Sequence, residues 1–357
     1  MSLKKTDSQP ITQMLTNLAL DHWHIEPSSI CTLKCPRCPR AEVPESLLNR
    51  QLTLKFFKEQ IGAEVVSGIR KITFCGNDGD PIYCKELIDI VQWIKSVNNN
   101  ISIVIITNGS HKSVDWWTEL ANILDEQDEI NWSIDGWDQQ SNEQYRVNSD
   151  WDSILDGIAA FTSNNTATYR VWSSIAFSFN ENYIDELVNL AQECSFDLFQ
   201  LTKSTKFGSK YPDSYGILDP LEPSISDLVA TGHRYEREFI RLTDRARHSE
   251  DLKPVFAQRA EDLKNTNYAG ICLIGNKGVF LNSQGEFYPC CWVANRYEHN
   301  QEWNELGAES FNLNKKTFTE IQNDEFWSTD FLTFHWQECQ SKCTQEKLAD
   351  VSHTIEW

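Results

Sequence analysis

From His22 onward, apolar β-branched stretches alternate with stretches of helical spacing, and nothing else in the sequence limits the fold as strongly. Strands are expected at the segment His22 to Ile30, then at Lys71–Cys75, Ile101–Ile106, Ile130–Ile134, Tyr169–Phe179 and Asp197–Leu201. Helical spacing marks Thr53–Val66, Leu87–Val97, Val114–Leu124, Trp151–Phe161 and Tyr183–Glu193 between them. The continuous run Ile101–Ile106 is of the kind buried on both faces. Strands alternating with helices imply parallel pairing with right-handed crossovers. Six strands fall short of an eight-unit barrel, so the expected fold class is α/β, a partial (β/α)6 barrel with its chemistry at the C-terminal strand ends.

The loop after the first strand holds Cys31, Cys35 and Cys38 at the spacing C-x3-C-x2-C. One loop can wrap three such thiols round a single inorganic cluster. Three ligands on a four-iron cube leave one iron open to bind and reduce something, whereas four close the cluster into a relay. The plainer readings are a zinc site, a disulfide with a spare thiol, or three unrelated cysteines. Zinc prefers four closed ligands, and no partner pair follows nearby, although His22 and His24 stand just before the loop.

Composition narrows the partners. The 357 residues carry 52 acids against 32 bases, a formal charge of -20. Such a surface repels phosphate backbones, and no run of Lys and Arg relieves it, so nucleic acid is not expected. No apolar run approaches a membrane span and the N-terminus is polar, so the expectation is a cytoplasmic protein without a membrane partner. In a reducing compartment 11 cysteines argue for metal ligation ahead of disulfides. Cys75, Cys84 and Cys194 stand alone and read as buried structural thiols.

The expected strand ends carry Gly76-Asn77-Asp78-Gly79-Asp80-Pro81, Thr107-Asn108-Gly109 and Ser133-Ile134-Asp135-Gly136. Each is an ordinary turn by composition, but together they fall in register with the strands. With the cysteine loop they resemble the radical SAM (S-adenosylmethionine) superfamily, in which the fourth iron binds the methionine part of SAM. Arg37 stands where that family usually has an aromatic residue. Gly79-Asp80-Pro81 resembles the family's G-E-P element, which implies that Gly79, Asp80 and Pro81 hold the SAM amino group. Ser133 and Asp135 match an S-x-D-G segment, and Tyr145-Arg146 resembles the segment that follows it. By position the resemblance implies SAM contacts at Asn108, Ser133 and Ser174, and at Lys203 or Ser204.

A second cysteine set closes the chain. Gly278–Leu281 and Glu286–Cys290 read as a hairpin around Asn282-Ser283-Gln284-Gly285. Cys272 through Gly285 to Cys290 resembles the opening of the twitch (SPASM-like) domains that follow many radical SAM barrels. Cys272, Cys290, Cys339 and Cys343 would then hold an auxiliary 4Fe-4S cluster, with Cys291 or His335 as alternatives to Cys343 for the fourth ligand. The plainer reading is a zinc hairpin. The implied domains are a tail with a short helix (1–20), the barrel (21–203), a helical linker (204–265) and a small α+β domain bearing the cysteine hairpin (266–357).

The resemblance implies a 4Fe-4S cluster that injects an electron into SAM, releasing a 5'-deoxyadenosyl radical that removes a hydrogen atom from substrate. An auxiliary cluster would accept the second electron of a net oxidation. Asp135, Asp138 or Asp78 could take the departing proton, and Arg146 is the further catalytic candidate. Two enzyme readings follow: a radical SAM oxidoreductase acting as a peptide or protein maturase, or a dehydrogenase of a small polyol or aminocyclitol. Either needs an electron donor such as flavodoxin or ferredoxin. A third reading is an iron-sulfur electron carrier that cleaves nothing. Trp116, Trp117, Trp132, Trp137, Trp151 and Trp172 could stack on a substrate, though core filling explains most of them.

Overall fold

The computed structural model of the protein describes residues 22–42, 48–208, 219–230, 236–245, 279–294 and 311–328. Its centre is one sheet whose strands are β1 (His22–Ile25), β2 (Lys71–Phe74), β3 (Ser102–Thr107), β4 (Glu129–Ser133), β5 (Tyr169–Ile175), β6 (Leu198–Lys203), β7 (Glu236–Arg241), β8 (Val279–Leu281) and β9 (Phe287–Tyr288). They lie in the order β7-β6-β5-β4-β3-β2-β1-β8-β9, with β1 to β6 parallel throughout. The crossovers are α1, built of Leu54–Phe56, a π-helical turn Phe57–Ile61 and Gly62–Gly68, then α2 (Leu87–Val97), α3 (Val114–Ala121), α4 (Trp151–Asn164) and α5 (Ile184–Glu193). The open α/β partial barrel expected from the alternation is therefore present.

Period-two patterning separates its faces. Ile103, Ile105, Ile130, Trp132, Trp172 and Phe199 point outward and are fully buried under the helices. Trp117 on α3 packs 5.5 Å from Trp132 between ring centroids, so Trp117, Trp132 and Trp172 fill core rather than meet a ligand. Asn131, Ser133, Ser173, Gln200 and Thr202 occupy the alternate positions and line the barrel lumen.

The structure departs from expectation in three places. The fifth strand stops at Ile175, short of Phe179, because the Asn180 side chain accepts from Phe177 N (2.8 Å) and donates to the carbonyls of Ile175 and Asp135 (both 2.9 Å). The linker at 204–265 is expected to be helical. Its described residues instead give a 3-10 turn, Ser226–Leu228, and β7, which pairs antiparallel with β6 from Leu198↔Arg241 to Lys203↔Glu236. An exposed β6 edge offers a row of unpaired backbone groups, and that demand overrides the local helical spacing. Finally, the cysteine hairpin β8–β9 continues the barrel sheet, with β8 parallel to β1 over Trp23↔Val279 to Ile25↔Leu281. The expected helix in residues 12–20 lies outside the described residues, as do Cys272, His335, Cys339 and Cys343.

Candidate active site

The cysteine loop follows β1 and is fixed from several sides. Lys34 N donates to Val147 O (2.9 Å), Thr32 Oγ1 meets the Tyr83 hydroxyl (2.6 Å), and Asn148 Nδ2 donates to Thr32 O (3.0 Å). Cys31, Cys35 and Cys38 are all free thiols, packed among Leu33, Tyr145, Phe177 and Leu221. Burial pushes the Cys31 thiol up to about 12, with the Asp80 charge adding to it, and the Cys35 thiol up to about 11. Three such thiols give up their protons when a positive centre takes the charge. Among the described residues no three His, Cys, Asp or Glu side chains converge as tightly as one metal ion requires. Three soft, largely screened thiols on one short loop fit a multi-iron cluster.

Around the loop the strand ends supply hydrogen bonds. The buried Asp80 carboxylate accepts from Ile82 N (3.1 Å), Thr107 Oγ1 (2.8 Å), Asn108 N (2.7 Å) and Asn108 Nδ2 (2.6 Å). All its acceptor directions are thus used within the chain, and it ties the loop after β2 to the end of β3. Asn108 Nδ2 also lies 3.7 Å from Cys31 Sγ. Gly79 is wedged against the cysteine loop's approach: a Cβ there would sit 1.9 Å from Ser28 O. Arg40 reaches back to donate to the carbonyls of Ser29 and Asp78.

Asp135 is fully buried after β4. Its Oδ1 accepts from Ile175 N (2.7 Å) and its Oδ2 from Arg146 Nε (2.6 Å). Arg146 in turn lies against Cys35, whose thiolate it favours both by its charge and by a hydrogen bond. Arg146 therefore bridges the buried Asp135 carboxylate and the cysteine loop. Asp138 has a different job: it caps the short helix Gln139–Asn142, accepting from Ser141 N (2.7 Å), and its carboxyl is held below the usual range by the Ser141 bonds. Lys203 is paired with Glu238 at 2.5 Å.

A cavity of about 350 Å³ opens between the cysteine loop and the lumen, lined by Cys35, Cys38, Arg146, Ser133 and Ser174 together with Asn131, Gln200, Thr202, Ser204 and Lys206. Asn131 is 7% exposed and its Oδ1 has no hydrogen-bond partner. Sequence reading overlooked Asn131, Gln200 and Thr202. The available signal was the alternation of polar with apolar residues along β4 and β6, which marks a wet inner face. Arg37, noted in the sequence only as a departure from the family pattern, is buried and bonded to Asp219 Oδ1 at 2.8 Å.

A parallel partial barrel with three free thiols beside its mouth, a hydrogen-bonded strand-end frame and a lumen of mixed polar and apolar side chains is an arrangement able to hold an inorganic cluster next to a cavity. Residues 25–193 match the family profile of the radical SAM superfamily, and the chain carries a radical SAM domain over that span. Such a domain implies a 4Fe-4S cluster and SAM. The chain is 24% identical over 182 residues to a GTP 3',8-cyclase of Peptoclostridium acidaminophilum, which is 50% of this chain and 54% of that protein. It thus spans about half the length of the curated relative it matches. Among solved structures it resembles Streptococcus suis SuiB bound to the precursor peptide SuiA, with TM-score 0.54, 14% identity, and coverage of 93% of this chain and 71% of that one. It also resembles anSMEcpe with bound AdoMet, with TM-score 0.50, 16% identity and coverage of 92% and 87%. These likenesses establish the fold. No helix among the described residues is long and apolar enough to cross a membrane.

Proposed function

We propose that this chain is a radical SAM enzyme that oxidatively modifies a peptide or protein side chain, with an auxiliary cluster as electron acceptor. The observation that carries the reading is the convergence of Cys31, Cys35 and Cys38 with the Asn108 and Arg146 donors, with Cys35, Cys38 and Arg146 lining the mouth of a cavity. The cluster and SAM, when bound, supply a carbon-centred radical able to take a hydrogen atom from an unactivated carbon. The chain's residues do the rest. Cys31, Cys35 and Cys38 would hold the cluster through three thiolates; Asn108 and Arg146 direct polar hydrogens at Cys31 and Cys35; Ser133 and Ser174 line the cavity, where they would meet SAM.

Gly79 and Pro81 belong to the loop that would face SAM, and Asp80 fixes that loop through its bonds to Thr107 and Asn108. Asp135 acts as a positioning residue for Arg146. The tertiary likeness to SuiB, whose structure holds a precursor peptide, makes a peptide the first substrate class to test. A second reading, the dehydrogenation of a small polyol or aminocyclitol, draws on the amide and hydroxyl lining of Asn131, Ser173, Gln200 and Thr202, which suits a hydroxylated ligand.

The test is anaerobic reconstitution with iron and sulfide, followed by incubation with SAM and a reductant such as dithionite or reduced flavodoxin or ferredoxin. Release of 5'-deoxyadenosine, lost in Cys31→Ala, Cys35→Ala and Cys38→Ala, is the expected outcome. Intact SAM in a chain with full iron would move the assignment to an electron carrier. Deuterium transfer from labelled peptides or labelled polyols into 5'-deoxyadenosine then separates the two substrate classes.

A further inference from the structure

The inner face of the sheet is ordered in cross-strand rows. Ser133, Ser173 and Gln200 lie side by side on β4, β5 and β6, in the register Ser133↔Ser173 and Ser173↔Gln200. The next row towards the strand starts holds Ile106, Asn131, Val171 and Leu198, in the register Ile106↔Asn131, Asn131↔Val171 and Val171↔Leu198. The side chains of both rows line the same cavity as Cys35 and Cys38. Two strand residues separate the rows, a depth of about 6.6 Å. A polar row thus lies on the cysteine side, and beneath it an apolar row broken by a single amide.

Asn131 is out of keeping with that apolar row. It is 7% exposed, and its Oδ1 has no hydrogen-bond partner among the described residues. Leaving a buried amide oxygen unmet costs stability, a cost that a leucine of similar size avoids. Asn165 offers the contrast of a structural asparagine. Also 7% exposed, it donates from Nδ2 to the carbonyls of Ala121 and Leu124 and accepts from Ala167 N and Thr168 N. Because χ2 of asparagine is broad and roughly two-fold, the Asn131 amide can turn either Oδ1 or Nδ2 to the cavity, matching a group that donates, accepts or does both. Deeper still, Lys71 and Glu129 at the starts of β2 and β4 bring one charge of each sign, which favours neither a cation nor an anion.

We propose that Asn131 is the specificity-determining residue of the site and that the side chain it selects is phenolic. A tyrosine of a peptide would place its ring between Ile106, Val171 and Leu198, its hydroxyl on the Asn131 amide, and its backbone amides towards Ser133, Ser173 and Gln200. This inference rests on the proposed peptide-modifying function and names its substrate class. A phenol is apolar along its length, uncharged at neutral pH, and ends in one hydroxyl that both donates and accepts. Phenylalanine would leave the buried amide unmet, and an aliphatic polyol would press hydroxyls against three apolar walls, so each is rejected for a different reason.

The test uses the full chain, reconstituted anaerobically with iron and sulfide and held with SAM but without reductant. Calorimetry measures binding of two capped pentapeptides, with tyrosine or phenylalanine at the centre of four glycines, and of myo-inositol. The tyrosine peptide should bind about tenfold or more tighter than the phenylalanine peptide, and Asn131→Leu and Asn131→Ala, each shown to be folded by circular dichroism, should bring that ratio below about threefold. Denaturation of the metal-free chain needs no ligand: Asn131→Leu should lower the unfolding equilibrium constant by about fivefold or more. A parental ratio near one, a ratio that both substitutions leave unchanged, preferential binding of myo-inositol, or no binding of any probe would each overturn the inference. So would an Asn131→Leu chain no more stable than the parent, since the amide would then be satisfied within the chain. Release of 5'-deoxyadenosine, followed after dithionite is added, reports separately on the proposed function. Its absence with the binding preference intact would overturn that function and leave Asn131 as the reader of a phenolic ligand.

Discussion

Arg37 and Asp219 stand 182 positions apart in the chain and form a buried ion pair, with Nη2 2.8 Å from Oδ1. Asp219 also accepts from Gly208 N and Leu221 N, and Lys206 Nζ donates to Arg37 O. The segments at 204–208 and 219–221 are thereby strapped onto the cysteine loop, with Leu221 and Phe207 packing beside Cys35 and Cys38. An arginine in the place the family usually gives an aromatic residue thus serves as an anchor for the cover of the cluster.

Asp219→Asn should loosen that cover. Breaking one side of a buried pair costs about 3–5 kcal/mol because the remaining charge is left without compensation. The reconstituted variant is expected to lose its visible cluster absorbance in air several times faster than the parent, at equal initial iron. An unchanged bleaching rate would mean that the strap does not protect the cluster.

The pair of Asp135 and Arg146 gives a second expectation. Arg146→Gln leaves Asp135 fully buried without its cation and should destabilise the chain by about 3 kcal/mol, whereas Asp135→Asn/Arg146→Gln recovers much of that loss. Chemical denaturation of the four members of this cycle measures the coupling. Additive losses would contradict a direct role of the pair.

Asn108→Ala removes the amide donor 3.7 Å from Cys31 Sγ and should lower the reduction potential of the cluster. A hydrogen bond of about 1 kcal/mol on a one-electron couple corresponds to roughly 40 mV. Potentiometric titration followed by electron paramagnetic resonance reads the shift, with iron counted to separate tuning from loss of the cluster.

Glu26 sets a pH dependence. Burial, then the Asp78 charge, raises its carboxyl from 4.5 to about 8, against the opposing pull of the backbone N–H groups of Asp78 and Gly79. The folded chain therefore holds a proton that the unfolded chain releases above 4.5. The associated stability is complete below pH 4.5 and lost as the pH rises to about 8. Denaturation of the metal-free chain should show stability falling by a few kcal/mol across that window, at about 1.4 kcal/mol per unit. Glu26→Gln, whose amide oxygen still accepts from Asp78 and Gly79, should flatten the profile.

Much of this was legible in the chain itself. Six strands and five helices appear where alternation and helical spacing put them, with α2 matching from Leu87 to Val97, because period-two and 3.6-residue patterns follow directly from which faces must be buried. The spacing of Cys31, Cys35 and Cys38 was equally readable, since ligands on one short loop need no tertiary information. Other features depended on the folded chain: β7 along the β6 edge, Arg37 meeting Asp219, and the Asn77 amide reaching Cys291 O from the far side of β1 and β8. Local sequence determined each element and the cluster loop. Contacts between residues tens to hundreds of positions apart were decided by sheet order and edge pairing, which arise only when the whole core is buried at once.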